Sequence, residues 1–403
     1  MRKLLVLALL AGCASVHPTR VTELVRVQRV EHIDLVAREP MLVEHPDGTL
    51  FVAGYGTPHP TLWKSGDHGA TWSRVDVGPD AAGNSDVDLA VAPDGTLYFV
   101  SMLYDREKDE GVQIAVGASR DAGASWQWTT VSKTRFDDRP WIEVAPDGTA
   151  HLIWNDGSGV SHVTSRDRGA TWSARTRIDD HGGSSHLAIG PKGELAARIT
   201  PLSASGNKYD EGLDLIAIST DGGATWSKHA APGERDWNPD FESDATPRWV
   251  EPLAWDARGN LYSFWADKRG VSLARSSDRG QTWTTWRVLD MPQMSFFPYL
   301  VARGEGDLAA TWFTASSETG PDLQWHLARI DASGEAQPRI TVAEPQPADS
   351  KRVDKKDNSE HNDPAGEYLP VAFLRDGTLA VVSPIQHSSA NRMGFTYWVF
   401  ESR

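Results

Sequence analysis

Seven positions in the chain share one spacing. Glu39, Asp86, Arg139, Ser184, Val250, Phe297 and Tyr368 each stand nine residues ahead of a turn glycine, namely Gly48, Gly95, Gly148, Gly193, Gly259, Gly306 and Gly377. Their close neighbours add Arg38, Asp88, Asp138, His186, Glu251, Tyr299 and Glu367. Carboxylates, guanidinium groups, an imidazole and phenols are the side chains that grip polar ligands or carry protons. Apolar runs such as Met41-Leu42-Val43 and Leu89-Ala90-Val91 follow them, so the charges open strands whose middles are dry. Singly, each reads as ordinary channel lining. Together, with both signs of charge in equivalent places, they read as a polar funnel that binds a ligand. Trp141, Trp237, Trp249 and Trp265 could offer ring faces there, although core packing explains each of them as well.

The elements that must position these residues are two repeated turns. In the first, apolar residues flank a turn such as Pro93-Asp94-Gly95 or Pro146-Asp147-Gly148, which is a hairpin signal. The second is Asp-x-Gly-x-x-Trp with a serine two residues before the aspartate. Asp67, Asp121, Asp167, Asp221 and Asp278 each lie five residues before Trp72, Trp126, Trp172, Trp226 and Trp283. The aspartate can accept neighbouring N–H groups, the glycine supplies positive φ, and the tryptophan packs nearby. These five aspartates are therefore expected to be structural. A sixth copy, Arg329 to Gly334, lacks its tryptophan, and the seventh hairpin is followed only by a last strand near Gly394 to Phe400.

Repeats of this length, each about four strands, predict an all-β propeller over residues 24–403. Seven blades are favoured and six are the alternative if one hairpin belongs to an insertion. The fourth strand missing from the last blade is expected at Leu24 to Ile33, closing the ring and removing its open edges. The stretch 343–366 is rich in Pro, Asp, Lys and Glu without apolar period and reads as a rim loop.

The chain has 403 residues, with 40 Lys and Arg against 55 Asp and Glu for a formal net charge of −15. That balance speaks against a nucleic-acid binder, which needs a basic face. One cysteine excludes an internal disulfide framework or a thiolate metal cluster. His181, His186 and His361 have aspartates nearby, but their spacing matches no compact metal site, so neither metal nor cofactor is expected. A monomer is expected. Met1-Arg2-Lys3 followed by the short apolar run Leu4 to Ala11 has the layout of a secretory leader, too short to span a bilayer.

Leu10-Ala11-Gly12-Cys13 resembles the lipobox of bacterial lipoproteins. The resemblance implies a signal peptide over 1–12, a lipidated Cys13, a tether over 13–23 and a place in the bacterial cell envelope. Ala14 after the cysteine resembles outer-membrane sorting; the side of that membrane stays open.

The five boxes are similar to the Asp-box, or bacterial neuraminidase repeat, of sialidases and related glycosidases. Three short segments extend the likeness: Arg38-Glu39-Pro40 before the first hairpin, Glu251-Pro252-Leu253 before the fifth, and Glu367-Tyr368-Leu369 before the last. The resemblance implies Tyr368 as nucleophile, Glu251 as its base, an acid such as Asp138, Asp86 or Asp88, and Arg38 as a clamp on a substrate carboxylate. A tyrosine nucleophile avoids the repulsion that a carboxylate would meet from an anionic sugar. The chain departs from that pattern, however. The two further arginines of the family's clamp have no counterpart in Ser263 to Asp267 or in Met294 to Arg303. Asp137 to Ile142 and Gly366 to Leu369 also look like segments of sialidase-like repeat proteins of undefined activity. Two functions follow: a lipid-anchored propeller that binds a glycan or another envelope ligand at its mouth through Arg38, Glu39, Asp86, Asp88, Arg139, His186, Tyr299 and Glu367, or an exo-α-sialidase.

Overall fold

A computed structural model describes residues 22–56, 59–200, 214–233, 251–316, 322–334, 336–353, 360–362, 366–387 and 391–403. All of its regular structure is strand. Seven sheets, each built on four antiparallel strands taken mostly in chain order, form seven blades. The first strands are Arg38–Glu44, Ser85–Val91, Asp137–Val144, Gly183–Ile189, Leu253–Trp255, Met294–Arg303 and Val371–Phe373. Each touches the next around a complete ring, so the seven enclose a central channel. The six-bladed alternative is excluded.

Each of the seven turn glycines joins the first strand of a blade to the second, and each has positive φ, from 79° at Gly306 to 92° at Gly377. In blade 1 the turn is fixed by its own aspartate, whose Oδ1 accepts the Thr49 amide at 2.8 Å. The same contact recurs at Asp94, Asp147 and Asp376. Local chemistry thus sets the register of each hairpin.

The Asp-boxes join third strands to fourth strands in five blades. In the first box Ser65 Oγ donates to Asp67 Oδ1 (2.8 Å) and accepts the Gly69 amide (2.9 Å). Asp67 also accepts the amide and hydroxyl of Thr71, at 2.9 and 2.6 Å. Asp121, Asp167, Asp221 and Asp278 repeat these contacts. These donors hold the carboxyls of Asp67, Asp121, Asp221 and Asp278 down at about 2, and that of Asp167 below its usual range. Every box leans on the preceding blade: a Cβ added to Gly69 would lie 2.1 Å from the Tyr397 ring, and one added to Gly223 would lie 2.1 Å from His162. The box is therefore a blade-to-blade spacer as well as a turn.

Leu24–Ile33 pairs antiparallel with Arg392–Ser402 and supplies the outer strand of blade 7. A bulge between Arg26 and Gln28 shifts the alternation by one residue, and Val27 is left exposed. The stretch 343–366, expected as a loop, carries three short strands. Gln346–Pro347 pairs with the third strand of blade 6, and Ser350–Val353 runs parallel to the end of Leu379–His387 while pairing with Glu360–Asn362. Backbone pairing of so few residues needs no apolar period, which is why the composition read as loop. One core cluster runs around the ring, and smaller clusters fill the interfaces between neighbouring blades.

Candidate functional site

The antiparallel order puts the starts of all first strands on one face of the ring, and the turn glycines and Asp-boxes on the other. At that mouth the nine-residue spacing has a backbone cause. The first strands of blades 1, 2, 3, 4 and 6 each break register with the second strand at this point. The broken steps lie between Arg38 and Met41, Ser85 and Val87, Asp138 and Trp141, Ser184 and His186, and Phe296 and Tyr299. Glu39, Arg139 and Phe297 sit in these bulges with φ of 45°, 49° and 48°, and a proline follows each. A bulge re-aims one side chain out of the pleat, and proline is tolerated because the innermost strand has no partner on its channel side. Left-handed non-glycine residues cost roughly 1–3 kcal/mol each and cluster where function over-determines them. Tyr368 reaches the mouth from the segment just ahead of Val371–Phe373, and Val250 lies outside the described residues.

Arg139 is the hub. Its Nη2 lies 3.4 Å from Glu367 Oε2 and its Nε lies 3.7 Å from Asp138 Oδ2. Its own carbonyl accepts the Ser184 hydroxyl at 2.8 Å, tying blade 3 to blade 4. Loss of hydration works against the guanidinium's charge, but Glu367, Asp138, Tyr368 and Asp86 more than offset it and raise its pKa. Glu39 comes from blade 1 and is buried. Burial, reinforced by Asp86 and Glu367, drives its carboxyl well above the usual range despite Arg38 and Arg139. Asp86, part-exposed but walled in by the ring, is raised to about 7, first by lost hydration and then by Asp138. The Tyr368 hydroxyl is pushed far up by burial and by Glu39. It is a group that keeps its proton.

Beneath these charges lies an aromatic floor. Tyr368 meets Trp141 edge-on at 5.2 Å between ring centres, Trp141 meets His186 at 5.1 Å, and His186 meets Tyr299 at 6.1 Å. Burial holds the His186 imidazole down at about 4, and its Nδ1 accepts the Leu253 amide at 3.3 Å. Burial also raises the Tyr299 hydroxyl. Asp88 lies deeper, where its two carboxylate oxygens accept the amides of Leu89 and Ile142, each at 2.8 Å. Asp88 thus staples blade 2 to blade 3, although burial still raises its carboxyl well above normal.

The mouth therefore gathers Glu39, Asp86, Asp138, Arg139, Glu367 and Tyr368 from blades 1, 2, 3 and 7. It does not gather all the residues singled out by sequence. Glu251 is 1% exposed, and its carboxylate accepts from Arg198 Nη2 at 2.9 Å; Arg198 is itself fully buried and also pairs with Asp214. No hydrogen bond joins Glu251 to Tyr368 among the described residues. Arg38 turns away from Glu39 at the bulge, donating to Tyr55 Oη (3.3 Å) and Gln386 Oε1 (3.2 Å) and lining a separate cleft. Trp141 and Trp265 are buried, whereas Cys13, Trp237 and Trp249 lie outside the described residues. Among the described residues no group of three or more His, Cys, Asp or Glu is placed to hold a metal ion.

Sequence reading missed two supports. Asp137 is fully buried, accepts from Ser132 Oγ (2.8 Å), the Thr134 amide (3.0 Å) and Trp154 Nε1 (3.2 Å), and so fixes the chain entering Asp138 and Arg139. Its run Asp137-Asp138 was visible, but not which carboxylate faces inward. Gly366, at φ 116°, presses so close that an added Cβ would lie 2.1 Å from Glu39 Cγ. Nothing in the local sequence marks that approach.

Comparison with known proteins agrees with this architecture. Residues 106–296 match the BNR repeat-like domain. A sialidase from Bacteroides fragilis is 27% identical over 190 residues, 41% of this chain and 33% of the relative, so the chain spans about a third of that protein's length. The α-L-arabinofuranosidase Arb93A from Fusarium graminearum superposes with a TM-score of 0.52 at 14% identity, covering 93% of this chain and 97% of the enzyme. YCF48 bound to D1 peptide superposes equally well, with a TM-score of 0.52, 15% identity and coverage of 93% and 94%. At such identities the likeness is one of fold alone, and it embraces a hydrolase and a peptide-bound protein. The chain is an Asp-box β-propeller of seven blades, similar to sialidases, whose residues 106–296 match the BNR repeat-like domain.

Proposed function

We propose that the protein is a glycan-binding propeller of the bacterial cell envelope, held by a lipid on Cys13, and that its ligand is a neutral sugar seated at the channel mouth. One observation carries this reading: among the described residues, four carboxyl groups, Glu39, Asp86, Asp138 and Glu367, surround the guanidinium of Arg139 above an aromatic floor. Carboxylates and a fixed guanidinium accept from and donate to sugar hydroxyls, while an anionic sugar would meet more acids than bases among the described residues. The test is calorimetric titration of the chain with arabino-, xylo- and gluco-oligosaccharides beside 3′-sialyllactose. Saturable binding of a neutral sugar with none of the sialoside supports the reading. Preference for the sialoside overturns it.

Hydrolysis is the second reading, favoured by the raised carboxyls of Glu39 and Asp86. A carboxylic acid that keeps its proton near neutrality, set among other carboxylates, is the arrangement that glycosidases use for general acid catalysis. In the sialidase form of this reading Tyr368 attacks the sugar and needs a base. The carboxylates that act on Tyr368 are Glu39, Glu367 and Asp86, while Glu251 is engaged by Arg198. Release of an aryl alcohol from aryl arabinofuranosides or aryl sialosides, lost in Tyr368→Phe or Glu39→Gln, would favour hydrolysis over binding alone.

A further inference from the structure

The bulge at Glu39 separates two consecutive charges. Glu39 enters the acidic mouth, and Arg38 enters a cleft of about 770 Å³ formed by blade 1, the hairpin at Arg106 in blade 2, and blade 7. That volume is within the range of small-molecule sites, about 300–1,000 Å³. Its lining carries Arg38, Arg74 and Arg106 against one acid, Asp76, in a chain whose formal charge is −15. Arg74 is braced by Asp34, through Nη2–Oδ1 at 2.6 Å and Nε–Oδ2 at 3.1 Å. Arg106 is exposed and has no hydrogen bond or ion pair among the described residues, so its charge is uncompensated. The floor is apolar and includes Leu35, which at 39% exposure is one of three large apolar side chains left exposed among the described residues.

We propose that this cleft is a second ligand site, for a small molecule that joins an anionic head to an apolar body. An unpaired guanidinium gains most from a carboxylate or phosphate, whose oxygens match its planar fork. The exposed leucine gains from covering by hydrocarbon, and only a ligand with both parts satisfies both features. The mouth suits such a head less, because among the described residues its Arg139 guanidinium is already flanked by Asp138 and Glu367. The cleft suits it better, because the exposed Arg106 guanidinium gives it a cation that no described carboxylate engages. The site is independent of the glycan reading, since Arg106 and Leu35 lie outside the mouth.

Ligand-observed NMR titration of the full chain with phenylacetate, phenyl phosphate and neutral benzyl alcohol tests the proposal. Both anions should bind saturably, with the alcohol at least about tenfold weaker, the scale of one charge-assisted contact. The stronger of the two anions identifies the head group. Arg106→Gln should weaken both anions about tenfold and leave the alcohol unchanged, while Leu35→Ser should weaken all three. Both side chains are exposed, so an unchanged urea midpoint will confirm that each variant folds. Equal affinity for alcohol and anions, or anion binding indifferent to Arg106→Gln, would overturn the assignment.

Discussion

Replacing Asp86 by asparagine should stabilise the protein, and the gain should depend on pH in one direction. The folded carboxyl titrates at about 7 against an ordinary value of 3.8. Above its folded pKa the ring holds an ionised group that it solvates poorly, whereas the unfolded chain solvates that charge fully. A displacement of about three pH units corresponds to roughly 4 kcal/mol, and the partial exposure of Asp86 to mouth water brings this nearer 2 kcal/mol. Asparagine keeps the shape and removes the charge. The advantage of Asp86→Asn should therefore be full above pH 7, shrink as pH falls, and be nearly gone by pH 4, close to the ordinary carboxyl value of 3.8. Urea unfolding of both proteins at pH 8, 6 and 4 reads this directly. A variant no more stable than wild type at pH 8 would mean that Arg139 compensates the ionised carboxylate, and the reading that lost hydration raises this carboxyl would fall. Asp86 is one of the carboxyls proposed to hold the sugar, so the same variant should bind its sugar less tightly.

Three further outcomes are expected, two from particular contacts and one from the lipobox. Gly366→Ala should cost about 1–3 kcal/mol from its φ and displace Glu39, and Glu39→Ala in the same chain should recover part of that loss by removing the clashing Cγ. Additive losses in the double variant would show that Gly366 does not press on Glu39. Ser219→Ala should cost about 1–2 kcal/mol in urea unfolding, because the buried hydroxyl accepts the Gly223 amide at 2.8 Å and fixes Asp221; an unchanged midpoint would remove the box from the account of stability. Cys13→Ala should leave the chain in the aqueous phase of a detergent partition, and partition equal to wild type would exclude the lipid anchor.

How legible each feature was depends on how local its cause is. The hairpins and boxes were readable because their chemistry closes within a few residues, as with Asp47 and Thr49 or Ser65, Asp67 and Thr71. Their regular spacing then fixed blade count and closure, including the outer strand Leu24–Ile33. The position of the mouth was readable for the same reason, since in five of the seven blades a bulge falls at nearly the same distance from the turn. What the mouth gathers was less so. Arg38 and Glu39 part because of a left-handed φ that residue type does not announce. Glu251 is claimed by Arg198, 53 residues earlier on another blade, and no motif encodes that pairing. The strands within 343–366 rest on backbone bonds to distant segments, which composition cannot register.

The central claim is that a sugar sits at the mouth on Arg139 and its carboxylate neighbours. Its most direct test is the affinity of one neutral oligosaccharide for the wild type and for Asp138→Asn and Glu367→Gln, measured by calorimetry under one buffer. Both substitutions keep side-chain size and lie at part-exposed positions, so the fold should persist. The account predicts saturable binding to the wild type and a loss of about tenfold or more in each variant, the worth of a charge-assisted hydrogen bond. Equal affinity in all three proteins would place the sugar elsewhere and contradict the account.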